Sequence, residues 1–171
     1  MSLSIIEGDA TRPQGDGRRI VAHVCNDLGA WGRGFVAAVS RQWPQAERAY
    51  RDWFRKRDVN DFGLGAVQLV YVGNDREPLW VANMVAQHGL LTGRAVRHQP
   101  PIRYAALEAC LRILAAHAST LSASVHMPRI GCGLAGGKWE IVEPMIVGTL
   151  GVMDVPVTIY NYVPPAPSLP R

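Results

Sequence analysis

Four glycines fall within the seven residues Gly131 to Gly137, between an apolar segment ending at Met127 and an amphipathic one opening near Glu140. A chain that passes from strand to helix through so many glycines brings bare backbone close to something. Without a Cβ, glycine reaches positive φ and tolerates close approach, at a cost in conformational entropy. The unpaired amides at the start of the following helix favour an anion, typically a phosphate. A loose surface loop would tolerate the same glycines; the strand–loop–helix setting is what favours the anion.

The arrangement occurs twice. Ile20-Val21-Ala22-His23-Val24 is a continuous apolar run, as in a strand buried on both faces, and His23 within it reads as a core histidine. It leads into Cys25-Asn26-Asp27-Leu28-Gly29-Ala30-Trp31-Gly32-Arg33-Gly34, then Phe35, Val36, Val39 and Trp43 at helical spacing. Ahead of it, Leu3 to Ile6 reads as a strand closed by the turn Glu7-Gly8-Asp9-Ala10. There Asp9 either accepts a hydrogen bond from a ligand amine or caps local backbone.

Pro44 suits the first turn of a second helix. Its apolar face carries Ala46, Ala49, Tyr50, Trp53 and Phe54, and Arg48, Arg51, Arg55, Lys56 and Arg57 fall mostly on the solvated side. Ala66 to Val72 and Leu79 to Met84 read as a hairpin. A polar loop then runs from Val85 through Gln87, His88 and Arg94 towards Pro100 and Pro101, and loops of that length are often functional. A helix from Ile102 to about His117, a strand within Ser122 to Met127, a helix from Glu140 to Leu150 and a strand from Val155 to Tyr160 complete the order. Pro156 places the last strand at an edge or at its own first residue.

This order predicts an α/β protein, a three-layer α/β/α sandwich with a central mixed sheet of about six strands. Residues 1–163 would form one domain and 164–171 a proline-rich tail. Both glycine loops leave the carboxyl ends of strands, the edge where such sheets bind ligands.

Among 171 residues, 48% are hydrophobic and 19% charged, and no apolar run approaches a membrane span. A cytoplasmic protein without membrane contact is therefore expected. The net charge of +4 helps recruit an anion, but no basic run interleaved with aromatics argues for nucleic acid. The three cysteines form no CxxC pair and no Cys/His spacing, so neither metal nor cofactor is expected. Cys25 and Cys132 fall in the candidate loops, as nucleophiles or as small packed residues.

Taken together, Gly8-Asp9-Ala10, His23-Val24-Cys25-Asn26-Asp27 leading to Gly32-Arg33-Gly34, and Met127-Pro128-Arg129-Ile130-Gly131-Cys132-Gly133-Leu134 before Gly137-Lys138-Trp139 resemble the macrodomain family. The resemblance runs from Leu3 to Tyr160 and is strongest to the branch of terminal ADP-ribose protein glycohydrolase and the DNA ADP-ribosyl glycohydrolases. It implies ADP-ribose in a cleft at the strand ends. Asp9 would take the adenine amino group beside the Ala10 amide. Ile130, Gly131, Cys132, Gly133, Leu134, Ala135 and Gly136 would hold the diphosphate, with Gly32, Arg33, Gly34 and Phe35 closing from the other side. Tyr160, Asn161 or Tyr162 would flank the adenine.

The eukaryotic branch uses a lysine near the end of the hairpin's second strand and an aspartate in the main loop. Here that strand reads Val81-Ala82-Asn83-Met84-Val85, Ala135 stands at the aspartate position, and Lys138 is misplaced, which argues against a covalent lysine intermediate. The resemblance then implies water attack on mono-ADP-ribose esterified to glutamate or aspartate. Asn26 would orient the distal ribose, Asp27 or a ligand phosphate the water, and the loop from Gln87-His88-Gly89 to Arg94 would close the site. Asn26, Asp27 and Arg94 are the expected catalytic residues. The partners would be ADP-ribose and an ADP-ribosylated protein, with a nucleic-acid adduct left open. The alternatives are a non-catalytic ADP-ribose reader and an ADP-ribose 1″-phosphate phosphatase.

Overall fold

The computed structural model describes residues 3–90, 99–164 and 166–168. Its elements follow the order read from the sequence: β1 (Leu3–Glu7), β2 (Arg19–Asn26), α1 (Phe35–Gln42), α2 (Pro44–Arg55), β3 (Val67–Tyr71), β4 (Leu79–Gln87), α3 (Tyr104–Leu121), β5 (Ser124–Pro128), α4 (Trp139–Thr149) and β6 (Val157–Asn161). The six strands form one mixed sheet in the order β1-β6-β5-β2-β4-β3. Only β3 runs antiparallel to its neighbour, as the hairpin partner of β4.

Alternation along the parallel strands assigns the two faces. Ile20 and Ala22 of β2 and Ala82, Met84 and Ala86 of β4 pack with Leu107, Leu111 and Leu114 of α3 and Val142 and Ile146 of α4. Cys25, Val81 and Val85 point the other way, onto Val39 of α1 and Ala46, Tyr50 and Trp53 of α2. Helices thus cover both faces. No helix among the described residues is long and apolar enough to cross a membrane.

Two strand ends bordering the site differ from the sequence reading. Cys25 and Asn26, expected in the loop, are the last residues of β2, and β4 continues past Met84 to Gln87. Both extensions arise from tertiary pairing: Cys25 sits opposite Val85, and a bulge then places Asn26 opposite Gln87. The loop expected to start at Val85 therefore starts only after Gln87. Strand β6 is internal, between β1 and β5, so Pro156 marks its start rather than a sheet edge.

Two histidines are buried with neutral rings. His23 Nε2–H donates to Asn83 Oδ1 (2.6 Å), and burial lowers the His23 pKa to about 4 against that bond's pull. His126 lies between Tyr160 Oη at Nδ1 and Ser124 Oγ at Nε2, both at 2.8 Å. Burial first, and the nearby Arg19 cation second, lower its pKa to about 4 as well. In the unfolded chain both rings take a proton near 6.5, so the unfolded state binds more protons between pH 6.5 and 4. Stability is complete above pH 6.5 and falls as the pH drops towards 4, by on the order of 2 kcal/mol per histidine at pH 4.5. Urea unfolding at pH 7.5 and 4.5 should show a clearly lower midpoint in acid; equal midpoints would contradict the neutral burial of these rings.

Candidate functional site

Strands β2 and β5 lie side by side, but their chains leave in opposite directions: β2 feeds α1 and α2 on one face, and β5 feeds α4 on the other. Such a reversal opens a crevice outside the carboxyl ends of the strands. Two adjoining cavities occupy it. One, of about 490 Å³, is walled by Asn26, Ala30, Trp31, Gly32, Gln87 and Leu90 among others. The second, of about 300 Å³, lies between Gly34-Phe35 and the segment from Pro128 to Ala135. Val24, Arg33, Val36, Gln87 and Leu134 line both.

The loop after β5 is a tight turn rather than a loose strap. Gly137 N–H donates to the Gly131 carbonyl at 2.7 Å, and a Cβ on Gly137 would stand 2.4 Å from that oxygen. Gly131 has φ +69, and a Cβ there would meet Ile102 at 2.9 Å. Gly133 differs, with nothing within 4 Å of its Cβ position. The amides of Cys132 (3.3 Å to Arg129 O) and Gly136 (3.0 Å to Gly133 O) are spent on turns within the loop. Both had been expected to hold a ligand, and this corrects that expectation. The amides of Gly131, Gly133, Leu134 and Ala135 have no acceptor among the described residues. Ile130 is buried below them as a floor, and the Ala135 carbonyl is held by Ile102 N–H.

The opposite wall is the start of α1. Its N-cap, Gly34 (φ +80), supplies no side-chain cap, and the first turn carries no acid. The positive helix end is thus uncompensated at Phe35 and Val36, both lining the second cavity. Arg33 borders both cavities. The two loops touch where Leu134 lies 3.6 Å from the Cβ position of Gly34. Unpaired amides from two directions, with the guanidiniums of Arg33 and Arg129 also in the lining, give this cavity the donors an anion requires.

Asn26 shapes its own loop. Its Oδ1 accepts from Leu28 N–H (2.9 Å) and Ala30 N–H (3.2 Å), and its Nδ2 donates to Ala30 O (2.6 Å). The Tyr50 hydroxyl donates to the Asn26 carbonyl at 2.7 Å and lies 3.0 Å from Oδ1. Asn26 lines the larger cavity at 7% exposure, as a structural wall with its oxygen engaged. Asp27 does not line either cavity. Its Oδ2 is 2.6 Å from His88 Nδ1 and its Oδ1 accepts from Gly89 N–H at 2.9 Å. The carboxylate clasps the turn after β4, a correction to its expected role of orienting water. Arg94, the third expected catalytic residue, lies outside the described residues.

Asp9 Oδ1 accepts from the amide and hydroxyl of Thr11, at 2.8 and 2.7 Å, so it caps local backbone and keeps Oδ2 for other partners. Ala10 beside it is buried. Tyr160 does not flank an open site: it is 2% exposed, packs on Gly8, and accepts from Gln14 N–H while bonded to His126. Tyr162, 65% exposed, is the free aromatic beyond β6. Burial raises the thiol pKa of Cys25 and of Cys132, which leaves both as packed residues rather than thiolate nucleophiles. Lys138 is at the start of α4 with its amide on Tyr104 Oη, and it borders neither cavity.

The sequence alone assigns Trp31 no role and Gln87 only a place in the closing loop, yet both line the larger cavity. Trp31 Nε1–H reaches Ser40 Oγ (2.6 Å) and Val36 O (3.1 Å), which fixes the indole as a cavity wall. Its signal was present, a tryptophan inside a glycine loop.

No protein-family model matches the chain. A macrodomain protein from Streptomyces coelicolor, known from its structure, is 51% identical, with a TM-score of 0.82 over 95% of this chain and 100% of its own. Among curated proteins, mouse chromodomain-helicase-DNA-binding protein 1-like is 30% identical over 94% of this chain, which spans only 18% of that protein's length. The ADP-ribose 1″-phosphate phosphatase of Lodderomyces elongisporus is 28% identical over 85% of this chain and 91% of its own. The DNA ADP-ribosyl transferase–DNA ADP-ribosyl glycohydrolase fusion protein of Thermosipho africanus is 26% identical over 93% of this chain and 42% of its own.

Proposed function

The chain belongs to the macrodomain family, and on that premise we propose that it binds ADP-ribose in the β2/β5 crevice and hydrolyses mono-ADP-ribose ester-linked to glutamate or aspartate. The observation that carries the reading is the convergence of unpaired amides on one cavity with a second cavity adjoining it. The diphosphate sits against the amides of Gly131, Gly133, Leu134 and Ala135 and the start of α1, with Arg33 alongside. The adenine amino group reaches Asp9 Oδ2. The distal ribose fills the larger cavity, between Asn26, Trp31, Gln87 and Leu90.

Water attacks C1″ as the C1″–O bond breaks, and the glutamate carboxylate leaves with the bonding electron pair. The water's proton passes to a ligand phosphate or to solvent. A carboxylate is a good leaving group, so holding C1″ and stabilising the diphosphate charge carry the acceleration. Among the described residues, the walls of the larger cavity carry no carboxylate and no imidazole that could act as a base. That same feature favours the second reading, a module that binds ADP-ribose without cleaving it.

The two readings separate on incubation with a glutamate-linked mono-ADP-ribosylated protein, alongside ADP-ribose 1″-phosphate. Release of free ADP-ribose from the ester is expected. No release, with micromolar ADP-ribose binding retained by calorimetry, leaves the reader; phosphate release from the second substrate alone would move the reading to a phosphatase.

A further inference from the structure

Gln87 is the last residue of β4 and borders both cavities. Its carboxamide is oriented by the protein: Nε2 donates to the Gly89 carbonyl at 3.0 Å, which turns Oε1 away from that carbonyl. Its backbone is held too, since Asp27 N–H donates to the Gln87 carbonyl at 3.0 Å and the residue bridges to Ile102. The larger cavity's other side-chain oxygen, Asn26 Oδ1, is occupied by two amides and the Tyr50 hydroxyl. Arg33 offers only donors. Gln87 Oε1 is thus the one unengaged side-chain oxygen among the described residues lining that cavity.

We infer that Gln87 is a positioning residue whose Oε1 accepts a hydrogen bond from a hydroxyl of the distal ribose, and so fixes where C1″ stands. The inference rests on the ADP-ribose reading above. A ribose placed without such an acceptor would have its hydroxyls desolvated against Trp31, Val36 and Leu90 with no free side-chain oxygen to accept from them, a cost that specific sugar sites avoid. Gln87 also explains why the end of β4 is pinned through both its main chain and its side-chain amide: a fixed acceptor loses little freedom when the sugar binds.

The test compares ADP-ribose with ADP, which lacks the distal ribose, in calorimetry on the full chain and on Gln87→Met, close in size but without an oxygen. Affinity for ADP-ribose should fall about three- to ten-fold, the worth of one neutral hydrogen bond, while affinity for ADP stays within error. Equal losses for both ligands would mean that Gln87 acts only by bracing Gly89, and no loss for either would mean that it is not used; each overturns the inference while leaving ADP-ribose binding standing. Failure of the unsubstituted protein to bind either ligand removes the ADP-ribose reading and this inference with it.

Discussion

Gly133→Glu should fold as the unsubstituted protein does and lose ADP-ribose binding by about 100-fold or more. Nothing lies within 4 Å of the Cβ position at Gly133, and its φ is outside the left-handed region. A side chain there is neither strained nor crowded. It would extend from the lining of the second cavity, beside the free amides of Gly131, Leu134 and Ala135. The carboxylate would take those donors itself and repel the diphosphate. Hydrogen bonds to charged groups contribute about 1.5–3 kcal/mol each, so the loss of two accounts for a factor of 100. Thermal unfolding should be unchanged within a few degrees. Undiminished binding in a calorimeter would reject the assignment of this loop as the diphosphate cradle.

Gly137→Ala, four residues on, should have the opposite signature in stability. The added methyl would stand 2.4 Å from Gly131 O and 3.1 Å from Gly131 C, both backbone atoms that no rotamer change can withdraw. The 2.7 Å bond from Gly137 N–H to that same carbonyl closes the turn, so the methyl pushes apart the two ends of the loop. Overpacking of this kind costs roughly 1–3 kcal/mol. It also tilts the Gly131–Cys132 peptide, which adjoins the one that presents the Gly131 amide. Binding should weaken at least about ten-fold, together with a melting temperature lower by several degrees, roughly 2–4 °C per kcal/mol at this chain length. A variant with unchanged melting and unchanged affinity would show that the loop tolerates a different closure. The pair separates a glycine that leaves room for the ligand from one that leaves room for the chain.

Much of this was legible in the residues. The continuous apolar run from Ile20 to Val24, the hairpin spacing and the two glycine loops were enough for the element order and for the layered sheet, because periodicity and glycine placement are local properties. Limits appeared wherever a residue's role depends on a neighbour far along the chain. The ends of β2 and β4 were placed short because Cys25 and Gln87 become strand only through each other's strands. Gln87 therefore reads as part of a closing loop, whereas it is a fixed strand end in the cavity wall. Asp27 follows a buried strand and looks like chemistry, but its two oxygens go to His88 and Gly89. Tyr160 lies within β6 and Tyr162 just beyond it, and only the bonds of Tyr160 to His126 and Gln14 show which is enclosed. Which amides of the main loop are free was equally out of reach, since Cys132 and Gly136 spend theirs on turns set by backbone angles.

The proposed chemistry breaks the bond between C1″ and the ester oxygen, and the isotope of oxygen in the released amino acid reports on that bond directly. Hydrolysis of a glutamate-linked mono-ADP-ribosylated protein in water enriched in oxygen-18 should release ADP-ribose and return a glutamate side chain free of the label by mass spectrometry. Label in the glutamate carboxylate would place the attack on the acyl carbon, and no release at all would remove the hydrolase; either contradicts the account.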